Sequence, residues 1–286
     1  MVALIGKATG RVTDFAYGSD VLAPADFDPW PDRQVHLEWG VTGARLAAGR
    51  GDAVAVVDVL SFSTTMSIAC ARDFSCLVYS GREIADMGGP EVAGERLGAR
   101  PLSKKRGADP GGVSLSPASI LRAEPGQRVL FTSLNGAAVV AAASAASALV
   151  VAGPRNASAA ARALAGLLDV GRARRITVVA SGEQWSSVSP GSSGLRPGVE
   201  DWLGAGLICR ELGALGLLLS TEARIAAAAW TSADDLRDCV SARELMAAGF
   251  TEDVNLALTV DADATVPVRE PGDPSGRLFV GRSEFV

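Results

Sequence analysis

The sequence predicts a layered α/β/α fold built on a mixed, largely parallel sheet. Three observations lead there. Short apolar runs alternate with longer helix-like runs from Val35 onward, the pattern of repeated strand–helix units. The strand-like runs stay apolar on successive residues, as strands covered on both faces do. Two late runs, Ala264–Val268 and Arg277–Val280, are read as antiparallel additions, which makes the sheet mixed.

In chain order, residues 1–33 include "APADFDPWPDR", dense in proline and without a period, and read as a loose N-terminal arm. Residues 34–286 read as a single α/β domain. Its expected strands are Val35–Trp39, Ala53–Leu60, Cys76–Ser80, Arg128–Ser133, Ala148–Gly153 and Ile176–Ser181, followed by the two late runs. The expected helices are Ser63–Asp73, Gly136–Ala146, Asn156–Leu168, Val199–Leu215 and Ala233–Gly249. Residues 80–125 break the rhythm and read as a long surface loop.

Composition narrows the chemistry. A net charge of −5 and the lack of a basic stripe argue against nucleic-acid binding. The one histidine, His36, excludes multi-histidine metal sites and disfavours a histidine-based triad. It lies in an alternating run and reads as a half-buried strand residue. Cys70, Cys76, Cys209 and Cys239 form no C-x-x-C pair and read as reduced core thiols of a cytoplasmic protein. The Ala/Ser-rich run Leu134–Pro154 reads as helix then strand, not as a membrane span, and the N-terminus lacks the apolar length of a signal peptide. A homodimer is the default assembly.

Three strands share an ending in which an apolar run gives way to small polar residues and then a helix. The first carries Asp58, Ser61, Ser63, Thr64 and Thr65. The second carries Thr132, Ser133, Asn135 and Gly136, and the third Ser181, Gly182 and Glu183. Ligands of α/β sheets bind beyond the carboxyl ends of strands, and helix N-termini favour anions. Hydroxyls add donors, and Gly136 would let backbone approach closely. The same residue types also serve as helix caps. Asp58 in an apolar run calls for a compensating cation. Glu200 and Asp201, in the first turn of a helix, fit either dipole compensation or Mg²⁺ ligation. Glu252 and Asp253 repeat that pattern and read mainly as caps. "GAGLIC" lies inside a helix and is not a dinucleotide fingerprint. An aspartyl-phosphatase D-x-D is broken by Leu60.

The ordered set "VVDVLSFSTT", "GER", "SLSPAS", "TSLNGA", "GPRNASAAA", "GVEDWLGAG" and "ARELMAAGFTEDVNLALTVDADATVPV" resembles the 2-phosphosulfolactate phosphatase family, over roughly Val35 to Arg269. The resemblance implies an α/β fold, Mg²⁺ dependence and hydrolysis of a phosphate ester on a small sulfonated acid. It nominates Asp58 and Arg96 as catalytic, and Glu183, an acid that the family's motif lacks at this strand end, joins them from the reading of the strand ends. For phosphate or substrate binding the resemblance nominates Ser63, Thr64, Thr65, Ser116, Asn135, Gly136 and Asn156, and the strand-end reading adds Ser61 and Ser133. Asp58, Glu200 and Asp201 are the implied metal ligands, and Glu95 accompanies Arg96. The family's D-V-L-R places arginine where this chain has Ser61, so Arg96 is expected to supply part of the missing positive charge. The alternative function is a catalytically silent small-anion-binding protein on the same scaffold.

Overall fold

The computed structural model describes residues 30–103, 112–189 and 191–283. Most of the expected N-terminal arm therefore lies outside the described residues, as does the basic stretch at 104–111. The described residues from Asp32 onward belong to one compact unit.

The chain first runs through β1 (Gln34–Trp39), α1 (Gly40–Gly49), β2 (Ala53–Val57), α2 (Thr64–Ala71) and β3 (Ser75–Val78). There follow α3 (Gly81–Asp86), α4 (Pro90–Leu97), β4 (Arg100–Pro101), α5 (Pro117–Arg122) and β5 (Arg128–Phe131). Next come α6 (Gly136–Ala142), β6 (Ala148–Val151), α7 (Ala157–Asp169), β7 (Ile176–Ala180), β8 (Glu183–Gln184) and β9 (Leu195–Arg196). The chain continues with α8 (Val199–Ala214), β10 (Leu218–Leu219), α9 (Thr221–Ala229), α10 (Asp234–Arg237), α11 (Val240–Ala247) and α12 (Thr251–Ala257). Strands β11 (Val266–Arg269) and β12 (Leu278–Arg282) close the order.

Ten strands make one sheet in the order β10-β1-β7-β2-β6-β11-β12-β3-β5-β4. The first five are mutually parallel, as are β3, β5 and β4. The two late strands join these blocks through antiparallel pairings on both sides. The mixed, mostly parallel sheet expected from the sequence is thus present, and three antiparallel junctions turn the β3-β5-β4 block against the direction of β2. Strand β2 is buried along its whole length. Its odd-numbered residues face a core with α7, α8 and α9, and Val54 and Val56 face a second core with α1, α2 and α6. A smaller cluster seats α3 and α4 on Leu77 and Leu130.

Two expectations are corrected. Residues 80–125 are not one loop. Ser80 and Glu83 form a capping box, with Ser80 N donating to Glu83 Oε2 at 2.8 Å and Glu83 N to Ser80 Oγ at 3.3 Å, and this starts α3. Pro90 opens α4 and left-handed Gly98 ends it, the usual proline-start, glycine-stop arrangement. The expected helix over 233–249 is two helices, because Cys239 is extended and caps α11 by accepting from Ala242 N at 3.4 Å. Among the described residues no helix is long and apolar enough to cross a membrane. All four cysteines are free and buried.

Arg155 of "GPRNASAAA" and Gly206 of "GVEDWLGAG" serve the fold. Arg155, in the turn before α7, pairs with Asp263, donating from Nε at 2.8 Å and Nη2 at 3.0 Å, and Ser67 of α2 donates to the same carboxylate at 2.7 Å. The bidentate pair fastens the chain entering β11 to the helices on either side of β6. Helix α8 meets α9 at Gly206, where an added Cβ would lie 2.2 Å from the Ala226 carbonyl oxygen. Backbone cannot yield there, so Gly206→Ala is expected to destabilise the fold by about 2–3 kcal/mol, read as a lower urea midpoint with an unchanged slope.

Candidate active site

Strands β2 and β7 are neighbours, and their last paired residues are Val57 and Ala180. Asp58 and Ser181 therefore emerge side by side, with Ser181 N donating to Val57 O at 2.8 Å. Beyond Asp58 the chain makes a wide turn into α2. Ser63 closes that turn in both directions: its N donates to Asp58 O at 2.7 Å and its Oγ accepts from Asp58 N at 2.9 Å.

Four carboxylates gather at this edge. Asp201, 4% exposed in the first turn of α8, accepts from Val59 N at Oδ1 and from Gly182 N at Oδ2, both at 2.8 Å. One side chain thus ties the turn after β2 to the turn after β7. Asp58 Oδ2 accepts from Gly136 N at 2.7 Å. Glu200 Oε1 accepts from Ser241 Oγ at 2.6 Å, and Glu183 Oε2 accepts from Asn135 Nδ2 at 2.9 Å. The β5 strand end reaches the site through residues 132–135, although its strand belongs to the reversed block.

The electrostatics are unbalanced. Burial first, then the charges of Glu183 and Glu200, hold the Asp58 carboxyl up at about 7, against the pull of the Gly136 and Phe62 amides. Burial, Asp58 and Glu200 push Asp201 well above the ordinary carboxylate range, against the pull of its two amide donors. No described salt bridge involves any of the four acids.

Several nominated residues do different work. Thr64 Oγ1 donates to Val59 O at 2.8 Å, Thr65 Oγ1 to Ser61 O at 2.7 Å and Leu115 O at 3.1 Å, and Ser63 Oγ contacts Val56 O at 3.4 Å. A hydroxyl has one hydrogen to donate, so these groups fasten the Asp58 turn rather than point donors at an anion. Ser61 is buried within that turn, its carbonyl holding Thr65. Ser133 Oγ caps α6 by accepting from Ala137 N at 2.8 Å. Gly136 is required for a close approach, but to protein: an added Cβ would lie 2.4 Å from the Phe62 ring and 2.7 Å from Asp58 Oδ2.

Ser116 donates to Asp253 at 2.7 Å, and Ala118 N donates to the same oxygen at 3.1 Å. Asp253 is therefore a buried clamp on the start of α5, not a cap of its own helix alone. Asn156 accepts from Gly153 N at 3.0 Å and donates to Val151 O at 3.3 Å, so it braces its own turn. Arg96 is not brought to the site. It is exposed on α4, which packs on β4 at the far edge of the sheet, and Glu95 is exposed with it. The cation expected from Arg96 is therefore absent from the acid cluster.

Three buried polar atoms around the acids have no hydrogen-bond partner: Asn135 Oδ1, Ser181 Oγ and Arg196 Nε. Arg196 is new to the site. It pairs directly across the β8–β9 ribbon from Glu183. A separate cavity of about 510 Å³, lined by residues such as Leu167, Val170 and Arg269, contains none of these groups. Chemistry and not cavity size locates the site.

Acidic groups at adjoining strand ends, walled by strand–helix turns, place the chain among α/β proteins whose functional edge is the carboxyl end of the sheet. The family model for 2-phosphosulpholactate phosphatase matches residues 44–272, and the chain belongs to that family. Comparison with curated proteins finds no match.

The raised Asp58 value has a definite sign. The folded state binds that proton more tightly than the unfolded chain, so the stability it contributes is complete below 3.8 and lost as pH rises through about 7. In chelator, Asp58→Asn should be more stable than the wild type at about pH 8, by on the order of 2 kcal/mol, and the difference should close near pH 4. Parallel melting curves at the two pH values would contradict this burial effect. Gly136→Ala should lower the melting temperature and, by displacing Phe62 or Asp58, reduce any activity that depends on Asp58 by about tenfold or more.

Proposed function

We propose that the protein is a Mg²⁺-dependent phosphatase acting on the phosphate monoester of a small acidic metabolite, of the 2-phosphosulfolactate kind. One observation carries this reading. Partnerless polar atoms surround four carboxylates that form no ion pair among the described residues, an arrangement that suits a hard cation together with a polar anionic substrate.

The donor set suits Mg²⁺ in its chemistry, being all oxygen. Among the described residues no three acidic, cysteine or histidine side chains are already arranged around one ion position. Mg²⁺ does not demand such a cage, since it commonly takes one or two carboxylates, keeps several waters and shares the phosphate. Asp58 and Glu200 are the residues we assign to hold it, each with one oxygen already fixed by a hydrogen bond. Asp201 has both oxygens on backbone amides and serves to position the two turns. When bound, Mg²⁺ neutralises phosphoryl charge and polarises the ester.

The chain's own groups supply the rest. Ser181 Oγ donates to a phosphoryl oxygen. Asn135 holds Glu183 through its amide nitrogen and leaves Oδ1 to accept a hydrogen from the attacking water. Glu183 takes that water's proton as general base while the new P–O bond forms and the ester P–O bond breaks, and the proton is returned to the leaving oxygen, which departs as the alcohol. No histidine is available for the role, and the Ser63, Thr64 and Thr65 hydroxyls are committed to the turn.

Phosphate release from 2-phospholactate and 2-phosphosulfolactate, with Mg²⁺ and with chelator, tests the proposal. Release should require Mg²⁺, and Glu200→Gln and Glu183→Gln should each lower kcat/KM by roughly 10²–10⁴-fold. Mg²⁺ alone should raise the melting temperature of the wild type and not that of Asp58→Asn. Tight binding of these esters with no phosphate released would instead identify the silent anion-binding form of the scaffold.

A further inference from the structure

We propose that Arg196 is the substrate-binding cation of this site, and that it receives the second acidic group of the substrate, a carboxylate or sulfonate beside the phosphate ester. The inference deepens the phosphatase reading and rests on it for the position of the phosphate.

The β8–β9 ribbon sets Arg196 opposite Glu183. Glu183 pairs with Arg196 and Gln184 with Leu195 in antiparallel register. Residues directly opposite in such a ribbon project from the same face, so an ion pair between Glu183 and Arg196 is the expected outcome. It does not form. Glu183 is drawn to Asn135, and the Arg196 side chain has no hydrogen bond or ion pair with any described residue. Its Nε is nonetheless buried. A buried guanidinium donor without a partner is costly, and an arginine fork matches planar or trigonal oxyanions.

The Arg196 carbonyl oxygen lies 3.0 Å from where a Cβ on Gly182 would be, and Gly182 N donates to Asp201, so the Arg196 backbone adjoins the turn after β7 that Asp201 holds. On the phosphatase reading the phosphate would lie between Ser181 and a cation held by Asp58 and Glu200. The guanidinium remains for the acid that distinguishes these substrates from ordinary phosphate esters. Ser61 contributes only a buried hydroxyl and Arg96 is remote on α4, so neither brings positive charge to the acids. Arg196 supplies the positive charge from another element.

The test compares selectivity in one protein. Wild type, Arg196→Lys and Arg196→Met are assayed with 2-phospholactate and with isopropyl phosphate, which has the same branched ester carbon but no second acid. In Arg196→Met the ratio of kcat/KM for the two should fall by roughly tenfold to a hundredfold, most of it in KM for the acidic ester. Arg196→Lys should recover part of the ratio, because charge remains and the fork does not. An unchanged ratio, whether both substrates lose equally or neither loses, would overturn the proposal. If the wild type releases no phosphate from any ester, the phosphatase reading fails on its own. Calorimetric titration with 2-phospholactate then decides: binding weakened tenfold or more by Arg196→Met supports the cation assignment, and equal binding or none by the wild type overturns it.

Discussion

A single buried carboxylate holds this site together. Asp201 accepts one backbone amide from the turn after β2 and one from the turn after β7. Each bond neutralises an amide that would otherwise be stranded at a strand end, and together they fix the spacing of Asp58 and Ser181 relative to α8. Desolvating Asp201 is unfavourable, as its raised proton affinity shows. The two amide bonds offset part of that cost, and a cation nearby would offset more. Removing either amide would leave the charge buried with less support, so the geometry of both strand ends depends on this residue.

Around that clamp, polar groups divide into those that build and those that remain available. Ser63, Thr64 and Thr65 direct their hydroxyls into the turn that carries Asp58. Ser133 caps a helix, Ser116 meets Asp253, and Asn156 braces its own turn. Asn135, Ser181 and Arg196 retain an unmatched donor or acceptor. A buried site with both satisfied and unsatisfied groups separates framework from ligand contact by hydrogen-bond accounting alone.

The sheet and the acids were legible in the sequence because both are local. Continuous apolar runs report strands buried on two faces, and Asp58, Glu183, Glu200 and Asp201 stand at the strand and helix ends where they were expected. The hydroxyl roles were not legible, since a cap and an anion ligand require the same residue types and only the acceptor's position tells them apart. Arg196 was invisible for another reason. It sits in a glycine- and serine-rich stretch, and its meaning comes from its cross-strand partner Glu183. The α3 helix could have been found, because the Ser80–Glu83 capping box is a four-residue signal. Its shortness and the prolines and glycines that follow concealed it.

Strands β11 and β12 follow every other described strand in the chain, yet they sit at the sixth and seventh positions of ten in the sheet. The residues of both blocks precede in sequence the strands that join them. In any state without residues 266–282 in place, the inner edge of each block is unpaired, and an open edge invites pairing with another chain. The Arg155–Asp263–Ser67 knot lies immediately ahead of β11 in sequence. It holds the chain against α2 and the start of α7, so the point at which the two central strands enter the sheet is set by a buried ion pair as well as by strand pairing.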